Sequence, residues 1–154
     1  VLLFDEFIDR INPTKTSIEI ANLTKKKISS DLVKKIVRKT VKMSNDKLDR
    51  FDISIVFVGE VESRKINRKY RKKNKSTDVL SFLLDSGYNE KGKRLEGELV
   101  LCPNVIAKNA RDNKVDFSRE LIFVLAHGVL HILGWHHGKK MFQLQDKIVL
   151  RNTK

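Results

Sequence analysis

The placement of its histidines constrains this chain more than any other feature. All four, His127, His131, His136 and His137, fall inside eleven residues. They lie in and just after the longest apolar stretch, Leu121 to Leu133. That stretch reads as a helix with Ser118 as its N-cap, Glu120 in its first turn and Gly134 just past its end. His127 and His131 are then i and i+4, one turn apart on one face, where two rings can share a metal ion. A glycine at 134 can take the left-handed conformation, turn the chain and return His137 toward the other two. Three imidazoles beside Leu125, Val129 and Ile132 with no common partner would leave polar nitrogens unpaired. A metal is therefore expected, held by three nitrogens with one open position, which is the donor set of a catalytic zinc rather than a structural one.

The spacing HxxxHxxGxxH is also that of the metzincin proteases, whose second position is the glutamate that acts as general base. Here that position is Gly128, so the usual peptidase chemistry lacks its base. Glycine inside a helix costs about 1 kcal/mol relative to alanine. Gly128 is accordingly read as keeping space beside the metal, where a bulky substrate could lie.

The charge balance narrows the partner. Thirty-two Lys+Arg against 19 Asp+Glu give a formal charge of +13, more than solubility requires, and predict a polyanionic partner. The 154 residues suit a single domain, 1–154, with a core of its own. One cysteine, Cys102, permits no intramolecular disulfide and points to a reducing, cytosol-like compartment; it reads as a small buried hydrophobe without chemistry. The longest apolar run is shorter than the roughly 18–20 residues of a bilayer span, so no membrane segment is expected. The opening VLLFDEFIDR carries acidic residues where a secretory signal needs a basic head, so no signal peptide is expected either.

Periodicity predicts an α+β fold, one sheet of about four mixed strands packed by several helices. TSIEIANL (16–23) and FDISIVFVG (51–59) read as strands, with a helix between them capped by Ser29 or Ser30 and carrying Leu32, Val33, Ile36, Val37 and Val41 on one face. Val61 to Tyr70 reads as a short basic helix that buries Ile66 and Tyr70. VLSFLL and ELVLC read as strands, and Ser86 to Gly97 between them as an exposed loop. Pro103 suits the first residue of a helix to about Asn113, and a last helix runs from about Lys140 to Leu150.

Two of these stretches carry a resemblance. HGVLHILGWHH is similar to the HGxLHLxGYDH signature of the YbeY family of bacterial endoribonucleases, and INRKYRKKNKSTDVLSF resembles that family's LNxxYRxxDxPTDVLSF. EGELVLC resembles a weaker third element, and the match runs from roughly Phe51 to Leu150, about two thirds of the chain. The resemblance implies zinc, one per chain, on His127, His131 and His137, and a functionally important arginine at Arg71. It further implies action on single-stranded precursor ribosomal RNA, in maturation of the 3′ end of 16S rRNA and ribosome quality control, with the small subunit as partner, in the bacterial cytoplasm. A monomer is favoured. The chain departs from the family pattern at Trp135 (Tyr), His136 (Asp), Ser76 (Pro) and Glu98 (Asp), and Gly138, Lys139 and Lys140 replace an acidic stretch. His136 could compete with His137 for the metal, lie over the substrate as a proton donor, or face solvent. Trp135 could stack on a base or shield the metal, core packing being the simpler role.

Zinc brings the pKa of bound water to about 7, which supplies a hydroxide to attack the scissile phosphorus without a strong protein base. Arg71 is the candidate for stabilising the phosphoryl oxygens. The cluster Arg64, Lys65, Arg68, Lys69, Lys72, Lys73 and Lys75 is expected to follow the RNA backbone, with Arg64, Arg68, Lys72, Lys73 and Lys75 singled out, and Thr77, Asp78 and Ser81 to line the groove or simply form a turn. The rival readings are a zinc metallopeptidase-like hydrolase and a non-catalytic, ribosome-associated RNA-binding protein.

Overall fold

In the computed structural model, which describes residues 16–44, 46–89 and 92–153, four strands and five helices form an α+β fold. Chain order is β1 (Ser17–Asn22), α1 (Ser30–Met43), β2 (Arg50–Phe57), α2 (Glu60–Arg71), β3 (Val79–Asn89), β4 (Gly92–Leu101), α3 (Pro103–Asp112), α4 (Phe117–Ile132) and α5 (Lys139–Asn152). The sheet order is β1-β2-β4-β3, with β1, β2 and β4 parallel and β3 antiparallel to β4. The reading of the first ten residues lies outside the described residues. No described helix is long and apolar enough to cross a membrane.

Strand alternation assigns the two faces of the sheet. Ile53, Ile55 and Phe57 of β2 and Leu95, Leu99 and Leu101 of β4 face the larger core, which α1, α3, α4 and α5 close. Val56, Val58, Leu80 and Val100 face a smaller core, closed by Ile66 and Tyr70 of the basic helix α2. The chain thus buries apolar rows on both sides of the sheet and leaves α2 on the side opposite α4.

Glycine governs how closely α4 approaches the sheet. A Cβ at Gly128 would lie 2.8 Å from Leu99 Cδ2, 3.1 Å from Val79 Cγ2 and 3.2 Å from Ser81 Oγ. Across the same interface, a Cβ on Gly97 of β4 would lie 2.7 Å from Ile132 Cγ2. Gly128 is therefore buried against β3 and β4, and the expectation of substrate room at this position is corrected: strand side chains already occupy it.

Two local expectations also change. Asp116, not Ser118, caps α4, its carboxylate accepting the Arg119 N–H at 2.7 Å; a charged acceptor suits a helix N-terminus better than a hydroxyl. Of the expected loop Ser86 to Gly97, the described residues 86–89 and 92–97 are not loop but the outer part of a β3–β4 hairpin, paired out to Asn89 and Gly92. A register shift between Leu83 and Asp85 breaks the apolar alternation that would have marked a strand. Apart from Leu95, polar contacts hold these arms: Arg94 pairs with Asp85, Lys93 Nζ with Asp46 at 2.7 Å, and the Lys93 N–H donates to the Asp49 carboxylate at 2.6 Å.

Candidate metal centre

The last turn of α4 and the turn after it assemble the histidines. Gly134 has φ +88°, the left-handed geometry that lets the chain double back, and the N–H groups of Gly134 and Trp135 close the helix end on the carbonyls of His131 and Leu130, each at 3.0 Å. The Nε2 of His131 then lies 3.0 Å from Nε2 of His127 and 3.0 Å from Nε2 of His137, and the last two are 3.3 Å apart. His127 and His131 are half-buried and His137 is exposed.

Second contacts fix which nitrogen of two rings carries the proton. His131 Nδ1 lies 3.1 Å from the Trp135 carbonyl, which can only accept, so Nδ1 donates. His127 Nδ1 lies 3.3 Å from Gln145 Oε1. The Gln145 amide is oriented by its own Nε2, which donates to the Phe123 carbonyl at 3.1 Å. Both rings therefore turn an unprotonated Nε2 toward the centre, the arrangement that metal-binding histidines require. Burial holds the His127 imidazole below its ordinary value, with His137 adding to the effect while Gln145 and Asp78 oppose it. Burial likewise lowers His131, helped by His127 and His137 and opposed by the Trp135 carbonyl. Neutral lone pairs facing one another at this distance repel unless a cation sits between them. Zinc–nitrogen bonds of about 2.0–2.1 Å in a tetrahedron place ligand nitrogens about 3.3–3.4 Å apart, within a few tenths of an ångström of what is seen. The residues present fit a metal ion. Among the described residues no other group of three or more His, Cys, Asp or Glu could hold one.

The trio opens into a cavity of about 800 Å³. Arg71, Lys73, Lys75, Thr77 and Asp78 line it from the side of α2 and the following segment, and Trp135, His136 and Phe142 line it from the histidine side. His136 is exposed and stays out of the nitrogen cluster. Trp135 is half-buried at the cavity wall, which corrects the simpler expectation that it packs in the core. Cys102 is buried at the end of β4, where burial pushes its thiol up, and it is not among the cavity-lining residues.

Arg71, the last residue of α2, donates from Nη2 to the Ser81 carbonyl at 2.8 Å and lies 5.2 Å over the Phe82 ring. One of its five donors is thus spent on holding the guanidinium against β3, and the rest are available to the cavity. The segment after it is pinned from beneath by two buried side chains of α2. Ser63 Oγ exchanges hydrogen bonds with the Thr77 N–H and carbonyl, each at 3.0 Å, and Asn67 Nδ2 donates to the Lys75 carbonyl at 2.8 Å. Thr77 and Asp78 also make turn contacts, Asp78 Oδ1 accepting from the Val79 N–H at 2.8 Å and the Thr77 hydroxyl at 3.2 Å.

Not every expected RNA contact comes to this cavity. Arg68 and Lys72 border a second depression with Lys65, Lys69 and Asn74, and Arg64 donates to Asn74 Oδ1 at 2.8 Å. These three do not line the metal cavity.

Residues 19–152 match the sequence profile of endoribonuclease YbeY. The chain belongs to the YbeY endoribonuclease family. A YbeY of Finegoldia magna is 34% identical over 81% of this chain and 77% of its own. A YbeY of Thermodesulfovibrio yellowstonii is 33% identical over 88% of this chain and 96% of its own. A Thermotoga maritima protein solved in solution superposes with a TM-score of 0.60 at 29% identity, covering 88% of this chain and 89% of that one. Gln145, Ser63 and Asn67 were absent from the reading of the sequence, although the burial of Gln145 on a face with Met141, Ile148 and Val149 was open to a periodicity argument on the last helix.

Proposed function

We propose that this chain is a zinc-dependent, single-strand-specific endoribonuclease of one domain, 1–154, that acts on precursor ribosomal RNA. In that role it trims the 3′ end of 16S rRNA and serves ribosome quality control in the bacterial cytoplasm, with the small subunit as partner. The observation that carries this reading is the convergence of three Nε2 atoms in one cavity with Arg71, Lys73 and Lys75. His127, His131 and His137 would hold the ion. A bound zinc supplies Lewis acidity, which acidifies water near neutral pH and polarises a phosphoryl oxygen.

The chain's own residues do the rest. Arg71, anchored to Ser81 and stacked on Phe82, presents N–H donors to the oxygens on which negative charge grows during displacement at phosphorus. Lys73 and Lys75 attract the flanking phosphates, giving affinity without base preference. Gln145 and the Trp135 carbonyl hold two imidazoles in the tautomer that keeps Nε2 directed inward. Gly128, turned into the sheet, provides no general base beside the trio, which disfavours peptidase chemistry. The test is cleavage of single-stranded and duplex RNA and of casein by purified protein, with chelator and with zinc restored. The expected result is chelator-sensitive cleavage of single-stranded RNA alone. Cleavage that survives complete metal removal, or hydrolysis of casein instead, overturns the reading.

A further inference from the structure

The cations around α2 are not one patch. From Lys65 to Lys72, one side of the helix carries Lys65, Arg68, Lys69 and Lys72, spaced i, i+3, i+4 and i+7, which is a single stripe about 10 Å long on an α-helix. These four residues, with Asn74, line a depression of about 540 Å³ that shares no residue with the metal cavity. All four are exposed, and no described acidic group forms a salt bridge with them.

The helix stops at Lys72, whose φ of +60° makes it a left-handed cap. Beyond that point the side chains alternate. Lys72 and Asn74 face the outer depression, whereas Arg71, Lys73 and Lys75 face the metal cavity. The segment 71–75 is therefore a ridge, cationic on both flanks, held from below by Asn67 at Lys75 and followed by Thr77, which Ser63 holds. A polyanion lying along the stripe reaches the ridge where the helix ends, and on its other side is the histidine trio.

We propose that the outer stripe of α2 is a second phosphate-binding track, which holds a length of the RNA strand remote from the bond being cut. The inference rests on the endoribonuclease reading above. Lys72 Nζ rests on the Lys69 carbonyl at 3.3 Å and Lys69 Nζ over the Tyr70 ring at 5.1 Å; exposed cations without a buried polar partner suit a repeating phosphate backbone rather than one small anion, and they read charge without reading sequence.

Binding as a function of salt tests the track directly, because each phosphate contact on a single strand contributes about −0.7 to the slope of log K against log salt. Zinc-loaded protein is titrated with fluorescent oligoribonucleotides of about four and about sixteen nucleotides, lengths that bracket common single-strand site sizes, and each RNA is checked for integrity afterwards. Lys65→Gln with Lys69→Gln should lower the slope for the long RNA by about 1.4, two contacts' worth, and leave the slope for the short RNA unchanged. Lys35→Gln with Lys42→Gln, which removes the same charge from exposed positions of α1 on the other side of the sheet, should change neither.

An unchanged long-RNA slope in the stripe variant overturns the track. So does an equal change for both lengths, which would place the two lysines at the metal cavity, or an equal effect of the α1 pair, which would make it a matter of net charge. Loss of binding to phosphatidylserine-containing vesicles with RNA binding intact would assign the stripe to a membrane surface instead. Failure of the unmodified protein to bind RNA of either length would remove the endoribonuclease reading itself, a result distinct from the other four.

Discussion

Replacing Gln145 with leucine separates what the metal centre requires from what the fold requires. Gln145 is 0% exposed, and leucine is near enough in size to fill its place without a large cavity. The change removes the acceptor 3.3 Å from His127 Nδ1, which frees the ring to protonate Nε2 and turn a donor toward the centre. Loss of such outer partners typically weakens metal affinity 10- to 100-fold. The 3.3 Å contact is longer than the usual hydrogen bond, so the expected loss lies near tenfold, or about 1.4 kcal/mol. A metal ion that binds only the folded state contributes RT ln(1 + [L]/Kd) to its stability. At fixed excess zinc, the variant should therefore lose about 1.4 kcal/mol more in the loaded protein than in the zinc-free protein, roughly 3–6 °C for a chain of this size. Chelator-competition titration gives the affinity and calorimetry with and without zinc gives the difference. Nitrogen chemical shifts of the His127 ring at a pH where it is neutral report the tautomer. Gln145→Glu, which keeps an acceptor facing Nδ1, should retain most of the affinity. An equal fall in stability with and without zinc, at unchanged affinity, would show that Gln145 only packs and would refute the orienting role.

Arg71→Ala should keep fold and zinc but lower RNA cleavage by about 10²–10³, the usual cost of one donor to a developing charge, and Arg71→Lys should recover only part of it because the fork is lost; wild-type rates in Arg71→Ala at saturating RNA would make this residue part of a solvated basic face and no more. Gly128→Ala should destabilise by ~1 kcal/mol net in urea denaturation, since overpacking against Leu99 costs more than the ~1 kcal/mol of helix propensity returns. His131→Ala should abolish zinc uptake, read by elemental analysis, together with cleavage. In the zinc-free protein, His127 and His131 bind protons less readily when folded than their ordinary value of 6.5. The unfolded chain then holds more protons, so the stability that depends on these two rings is complete above about pH 6.5 and declines as the pH falls toward their lower folded values; a thermal midpoint that rises on acidification from pH 7 to 6 would contradict the sign.

The histidine site was legible because its logic is local. An i, i+4 pair on an apolar helix and a glycine three residues beyond it place three rings together before any tertiary contact is known. Gln145 was not legible in the same way, because its meaning depends on α5 docking against α4 and meeting the Phe123 carbonyl twenty-two positions away. Gly128 lay in plain view, yet its significance was misjudged. Each residue of a helix turns by 100°, so the neighbour of His127 faces a different surface, and only the docked sheet reveals that this surface is Leu99 and Val79. The hairpin arms 86–89 and 92–97 escaped for the opposite reason: apart from Leu95, their order comes from a backbone ladder and ion pairs, which leave no apolar period in the sequence.

The basic run from Arg64 to Lys75 shows most clearly where sequence reading stops. Its charge was evident, but charge alone carries no direction. Up to Lys72 the side chains follow a helical period, and beyond it they alternate, so neighbours in sequence face different cavities. The change of period falls on a lysine in a left-handed conformation, which a glycine would have announced and a lysine does not. Arg71 and Lys72, adjacent and both cationic, consequently belong to different surfaces, and a substitution at one is not a control for the other.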